Sequence, residues 1–367
     1  MTTTRRRYLT RATDLSQVPA VAAFLRRLGL GEFVPEGLVS HTGRNENWSG
    51  TTTSGHAVFV KRLGGDSQDV RRRLRGIIAF EELRADAPGT TPRAPRCLGW
   101  SEEDALVAFE MLPLSRTGAE LADAKEFDEG HARQIGELIG ELHGLKPSGC
   151  VRLDASVPSQ PSPAAFEALP LEVHRASSAA ELRAWSILQQ DTELVGAVEE
   201  LRRVEAAAAT CPTHGDLRLD QLLLSGPGFH LLDCEELRLG DPARDTGAFI
   251  GEWLHRAVAT LPGPARNEPA GAVPADREVI ARGARELHRV RPLVRRFHEG
   301  YVSTGRPVTH GLQLQSVRYA GWHLMDRVLA QASQSSVLHP VQRAAMGIAR
   351  TVLLTPEALL TTLGLKD

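Results

Sequence analysis

Residues 213–224, T-H-G-D-L-R-L-D-Q-L-L-L, constrain this chain more than any other stretch. Polar groups stand there at fixed offsets and give way abruptly to an apolar run. Residues 221–232, QLLLSGPGFHLL, read as a β-hairpin turning at Gly226-Pro227-Gly228. Leu-Leu-Asp-Cys-Glu follows at 231–235, then Gly-Asp-Pro-Ala-Arg-Asp at 240–245. A hairpin returns the chain to its starting point, so Asp216, Gln221 and Asp233 are expected close together. Two carboxylates and an amide oxygen are hard ligands of the kind that hold Mg²⁺. Asp241 and Asp245 read as structural, bracing the loop by hydrogen bonds or capping the next helix.

Phosphoryl transfer needs few protein parts: a carboxylate to orient and deprotonate the attacking hydroxyl, oxygen ligands for Mg²⁺, and a cation on the phosphates. A protein-kinase catalytic loop supplies an Asp, an Asn five positions later, and an Asp in the next turn. Asp216, Gln221 and Asp233 occupy those places in order. Upstream, HAVFVKRL reads as a strand carrying Lys61, where a kinase lysine contacts the α- and β-phosphates. Glu81 lies on the apolar face of the following helix and could pair with Lys61; the alternative partner is Glu82. Residues 43–50, G-R-N-E-N-W-S-G, with Gly43, Asn45 and Asn47, would cover the phosphates. Phe109-Glu110-Met111-Leu112 would form the hinge whose backbone meets adenine, placing Glu110 and Leu112 at the nucleotide. A histidine alone is more often a core residue, and His214 joins the catalytic set through the motif it opens. The run Arg71-Arg72-Arg73 with Arg75 reads as a solvated helix face.

The remainder divides coarsely. Residues 1–17 read as a mobile arm and 18–30 as a helix. Residues 66–87 read as a helix with Leu74, Ile77 and Ile78 on one face, followed by a Pro-rich link. Residues 104–112 are strand-like. Residues 117–120 match a capping box, and 128–144 form a strong helix stopped by Pro147. Residues 148–172 read as a loop, 173–209 as helix, and the chain after 245 as all helical except for a Pro/Gly-rich loop at 262–275. The organisation is an arm at 1–17, a nucleotide-binding part at 18–112 and a helical part at 113–367.

Composition excludes several classes. The 43 Lys+Arg balance 45 Asp+Glu, a net charge of −2, which argues against a nucleic-acid protein held by a basic field. No run approaches the roughly 18 apolar residues of a membrane span. No apolar h-region follows the basic start, so a secretory signal is not expected. Four scattered cysteines (Cys97, Cys150, Cys211, Cys234) fit a reducing cytoplasm rather than a disulfide scaffold or zinc site. Nearly every cation is arginine: lysine occurs only at Lys61, Lys125, Lys146 and Lys366.

HGDLRLDQ together with LLDCE and GDPARD resembles the aminoglycoside phosphotransferase/choline kinase superfamily, small-molecule relatives of the protein kinases, over about residues 38–335. That resemblance implies an α+β, bilobal protein-kinase-like fold with a small β-rich N-lobe and a larger helical C-lobe. It also implies ATP and Mg²⁺ as cofactors. Asp216 would be the catalytic base, Gln221 and Asp233 metal ligands, and Lys61 a phosphate contact. The family commonly has Asn where Gln221 stands, and some of its sugar kinases use Gln. GRNENWSGTTTSGHAVFVKRL and FEEL…TPRAPRCLGW further resemble the kinase subunit of class V lanthipeptide synthetases. This implies phosphorylation of Ser/Thr in a precursor peptide, with separate lyase and cyclase partners. The alternatives are a small-molecule kinase acting on an antibiotic, sugar or amino alcohol, and a pseudokinase scaffold that binds the precursor peptide.

Overall fold

Pro19 opens the first helix, α1 (Pro19–Arg27), where its fixed φ suits a position that needs no amide hydrogen bond. The computed structural model describes residues 14–41, 43–87, 90–147, 151–261 and 276–365. Strands β1 (Val39–His41), β2 (Glu46–Thr51) and β3 (Ala57–Arg62) follow. The helix α2 (Ser67–Asp86) is capped by Asp66, whose carboxylate accepts from the Gln68 and Asp69 amides. Next come β4 (Cys97–Ser101), β5 (Leu106–Glu110), β6 (Arg116–Thr117), α3 (Gly118–Asp123) and α4 (Glu129–Gly144). The helices α5 (Pro163–Glu167), α6 (Leu171–Ala176), α7 (Ala179–Gln189) and α8 (Thr192–Ala206) lead to β7 (Cys211–Thr213). The hairpin is β8 (Leu222–Ser225) and β9 (Gly228–Leu231), turning at Gly226 with φ +59°. Then come β10 (Arg238–Gly240) and the helices α9 (Ala243–Ala259), α10 (Asp276–Ser303), α11 (His310–Ala332), α12 (Pro340–Leu354) and α13 (Pro356–Leu363).

The chain groups into two compact units. The first takes residues up to Gly118 with Lys146–Asp154 and Gln221–Leu237, and the second takes the rest. The first is built on an antiparallel sheet ordered β1-β2-β3-β5-β4. Its inward residues alternate: Val58 and Val60 of β3 with Leu106 and Ala108 of β5 bury against Val21, Phe24 and Leu25 of α1. Leu63, Leu74, Ile77 and Val107 form a separate apolar cluster on α2. The hairpin pairs with β6 inside this unit.

The second unit is mainly helical, and its core joins residues of α5, α7, α8, α9, α11 and α12. The expected loop at 148–172 is interrupted by α5, because Phe166 is buried against Trp185 and Trp322, with ring centroids 5.5 and 6.2 Å away. The single helix expected at 173–209 is three, since Ser178 caps α7 through the Glu181 amide and Asp191 caps α8 through the Leu194 amide. The expected mobile arm and the loop at 262–275 lie largely or wholly outside the described residues. Together these are the α+β architecture expected, a small antiparallel sheet followed by a larger helical portion. Among the described residues no helix is long and apolar enough to cross a membrane. Cys97, Cys211 and Cys234 are free thiols.

Candidate active site

Lys61 points inward from β3, in register with Asn47 on one side and Val107 on the other. A buried ammonium needs anions, and two answer: Asp233, in a short contact, and Glu235, whose Oε2 lies 2.8 Å from Nζ. Burial by itself would lower the Lys61 pKa, but the two carboxylates outweigh it and hold the ammonium charged. Burial likewise opposes the Glu235 charge, yet Lys61 and Arg73 hold that carboxyl down to about 2.

Neither expected helix glutamate is the partner of Lys61. Glu81 pairs with Arg84 one turn along α2, at 3.3 Å, and Glu82 is exposed. α2 instead contributes Arg73, which corrects the reading of the arginine run as a solvated face. Arg71 and Arg75 are exposed, but Arg73 is 0% exposed. Its guanidinium donates to Asp69 (3.0 Å), Asn45 Oδ1 (2.9 Å), Glu235 Oε1 (3.3 Å) and, closely, the Gly64 carbonyl. Sequence did carry a signal for this: Arg73 shares a stripe with Gly76, Ile77 and Phe80 at helical spacing.

The turn expected over the phosphates is also tied inward. Asn45 is buried; its Oδ1 accepts from Arg73 and the Gly64 amide, and its Nδ2 donates to Glu235 Oε2 at 3.1 Å. Asn47 Nδ2 donates to the Asn45 carbonyl at 3.2 Å. The Asn45 and Asn47 side-chain amides thus build the turn rather than line its outer face. Gly43 begins it, with room for a Cβ beside Asn47 Nδ2 at 3.7 Å. At the expected hinge, the Glu110 amide donates to the Arg96 carbonyl and the Met111 amide to Ala57. The Leu112 carbonyl accepts from the Ser115 hydroxyl at 3.1 Å, and the Glu110 carboxylate meets Arg96 at 3.4 Å.

Gln221 and Asp233 flank the hairpin in the same unit, where the Leu232 amide donates to the Gln221 carbonyl at 2.9 Å. Gln221 is 4% exposed, and neither Oε1 nor Nε2 has a hydrogen-bond partner. An amide buried without a partner costs about 1–3 kcal/mol, and a free amide oxygen on the segment that carries Asp233 fits the donor set of a hard cation. Asp233 adopts φ +61° and ψ +44°, a left-handed conformation that aspartate tolerates at some strain. One carboxylate and one amide oxygen suit Mg²⁺, which keeps waters and substrate phosphates in its remaining positions. No group of three His, Cys, Asp or Glu side chains able to hold a metal occurs among the described residues.

The loop that carries Asp216 belongs to the helical unit. Asp216 Oδ2 accepts from Arg218 at 2.9 Å, and Arg218 also meets Asp220 at 3.0 Å. Two carboxylates of α9 fix the loop, two turns apart. Asp245 accepts from the amides of His214 (2.7 Å) and Gly215 (2.9 Å), and Glu252 from the amide of Leu219 (3.4 Å). Each carboxylate has a histidine behind it: His143 lies 3.0 Å from Asp245, and His323 lies 2.8 Å from Glu252. Burial opposes both charges, but the histidines and amides prevail, lowering Asp245 and holding Glu252 at about 2. Asp245 therefore braces the loop, as its spacing suggested. His214 is itself fully buried beneath it, so its backbone amide joins the loop to α9.

A family model described as a phosphotransferase enzyme family matches residues 38–293, and the chain belongs to that family. It is an enzyme that transfers a phosphoryl group to a hydroxyl. Two solved structures share the fold. A choline/ethanolamine kinase family protein from Mesorhizobium loti is 14% identical with a TM-score of 0.52, over 96% of this chain and 99% of that one. A proposed fructosamine-3-kinase from Thermobifida fusca is 17% identical with a TM-score of 0.51, over 92% and 99%. No curated protein matches the chain by sequence.

Proposed function

We propose that this phosphotransferase uses ATP and Mg²⁺ to phosphorylate Ser or Thr of a ribosomal precursor peptide, ahead of phosphate elimination by a partner lyase. The observation that carries the nucleotide chemistry is the Lys61–Asp233 contact, with the partnerless Gln221 amide at the other end of the hairpin that leads to Asp233. In this reading Lys61 holds the phosphates as a compact cation. Asp233 and Gln221 would hold the metal, which neutralises charge on the phosphates when bound. Asp216 orients the acceptor hydroxyl and takes its proton, while Arg218 fixes the carboxylate. Most of the acceleration is positioning and electrostatics.

For the acceptor, two things support a peptide. The segments at 43–63 and around 80–100 resemble the peptide-directed kinases. In addition, all three acids in the helical stretch 286–326 are engaged by arginine: Glu286 by Arg289, Glu299 by Arg296 and Asp326 by Arg327. A cationic amino alcohol or aminoglycoside would compete with those arginines for charge. A small-molecule acceptor is the alternative reading, favoured by what the M. loti and T. fusca proteins are described as. The test is ATP turnover with a Ser/Thr-rich candidate peptide, with aminoglycosides and with choline, followed by mass spectrometry for phosphate on the acceptor. Asp216→Ala is expected to lose transfer at least 100-fold, on the order of general-base effects, while still binding nucleotide. Normal transfer by that variant would remove Asp216 from the mechanism, and turnover with choline but not peptide would replace the peptide reading.

A further inference from the structure

We infer that Glu235, rather than a glutamate of α2, positions Lys61 for the nucleotide phosphates, and that Arg73 and Asn45 hold Glu235 in place. This rests on the nucleotide-binding role proposed for Lys61. The geometry is specific. Glu235 Oε2 accepts from Lys61 Nζ at 2.8 Å and from Asn45 Nδ2 at 3.1 Å, and Oε1 accepts from Arg73 Nη1 at 3.3 Å. The side chain is only 9% exposed, so both oxygens face the interior. Asp233 also touches Lys61, but it is 29% exposed and is the carboxylate proposed for the metal. Glu235 is then the anion that remains with Lys61 throughout.

The helix contributes to this arrangement with the opposite sign from the one expected. α2 supplies a buried cation that grips a carboxylate from the segment after the hairpin. Gly76, one turn beyond Arg73, permits the approach, since a Cβ there would lie 2.8 Å from the Glu235 carbonyl oxygen. Asn45 extends the same carboxylate to the β1–β2 turn and, through Gly64, to the end of β3. Phosphate lysine, turn and metal-ligand segment therefore share one anchor. Glu235 acts through Lys61, which makes it a positioning residue.

The test measures equilibrium binding of ATP and of adenosine to the full chain, each with Mg²⁺ and with a chelator. Glu235→Gln and Glu81→Gln are compared with wild type. Misplacing Lys61 affects only ligands that carry phosphates, whereas a general structural lesion weakens both. Glu235→Gln is expected to weaken ATP about tenfold or more, the range for a charged hydrogen bond, with or without Mg²⁺, and to leave adenosine within about twofold. Glu81→Gln is expected to match wild type for both ligands. Equal loss of ATP and adenosine, unchanged ATP binding, a loss seen only with Mg²⁺, or an ATP-specific loss in Glu81→Gln would each overturn the assignment. If Glu235→Gln fails to fold, Arg73→Met/Glu235→Gln removes the buried cation that has lost one of its two carboxylates and carries the same comparison. Wild type that binds no ATP removes the nucleotide reading and this inference together; wild type that binds ATP alongside an equally competent Glu235→Gln removes this inference alone.

Discussion

Asp241 shows how one buried carboxylate can work against the fold at neutral pH. It is 4% exposed; Oδ1 accepts from the Ala243 amide at 2.9 Å, and Oδ2 has no partner. Burial, reinforced by the Glu205 charge and only partly offset by that amide, Arg244 and the Gln315 side chain, raises its pKa to about 6. The folded chain therefore holds this proton more tightly than the unfolded chain. Its stabilising contribution is complete below the unfolded value of 3.8 and is lost as pH rises through about 6. Asp241→Asn keeps the Oδ1 acceptor and removes the ionisation. It is expected to raise the thermal midpoint at pH 7.5, by on the order of 1–3 kcal/mol in stability, with the advantage shrinking toward pH 4. Melting curves across that range decide it, and a difference independent of pH would remove ionisation as the cause. Arg73 is the opposite case, a buried charge with every guanidinium nitrogen hydrogen-bonded, which explains how an arginine can stand at 0% exposure.

Among the elements, α2 and α9 do comparable work by different means. α9 presents carboxylates to backbone amides of the loop around Asp216, while α2 presents an arginine to a carboxylate and a bare glycine to the chain carrying it. The Gly76 contact makes that packing testable. An added methyl would meet the Glu235 carbonyl oxygen at 2.8 Å and its carbon at 3.2 Å, both backbone atoms that cannot rotate away. Gly76→Ala gains helix propensity of about 1 kcal/mol, yet overpacking typically costs 1–3 kcal/mol. A net loss of stability together with weaker ATP binding is expected from denaturant titration and calorimetry. A stabilised variant with wild-type ATP affinity would show that α2 can shift without moving Glu235. The hairpin itself was readable because its turn is local, Gly-Pro-Gly between two apolar runs. α5 was not, because Phe166 acquires its meaning only from Trp185 and Trp322; the break before α8 did have a local signal in Asp191, which caps that helix through the Leu194 amide.

At the scale of the whole molecule, the ordered motifs were legible because their chemistry follows chain order: Asp216, Gln221 and Asp233 are separated by a loop and a hairpin. The anchor of Lys61 was not, because Asn45, Lys61, Arg73 and Glu235 come from four elements spread over 190 positions. An acid two residues after Asp233 reads as unremarkable until a buried arginine is found opposite it. The scarcity of lysine then acquires a practical meaning. Lys125 and Lys146 are exposed and should acylate at ordinary rates, whereas Lys61 is 7% exposed and held between two carboxylates. Amine-directed footprinting thus reports on the site almost by itself, free of the background that a lysine-rich surface creates. Slow acylation of Lys61 in wild type and fast acylation in Glu235→Ala, with Lys125 unchanged in both, is the expected pattern. Equal rates in the two proteins would mean that the cage around this amine does not depend on Glu235. Arginine-rich chemistry on the outside has left the one caged amine, Lys61, as a built-in reporter of its own surroundings.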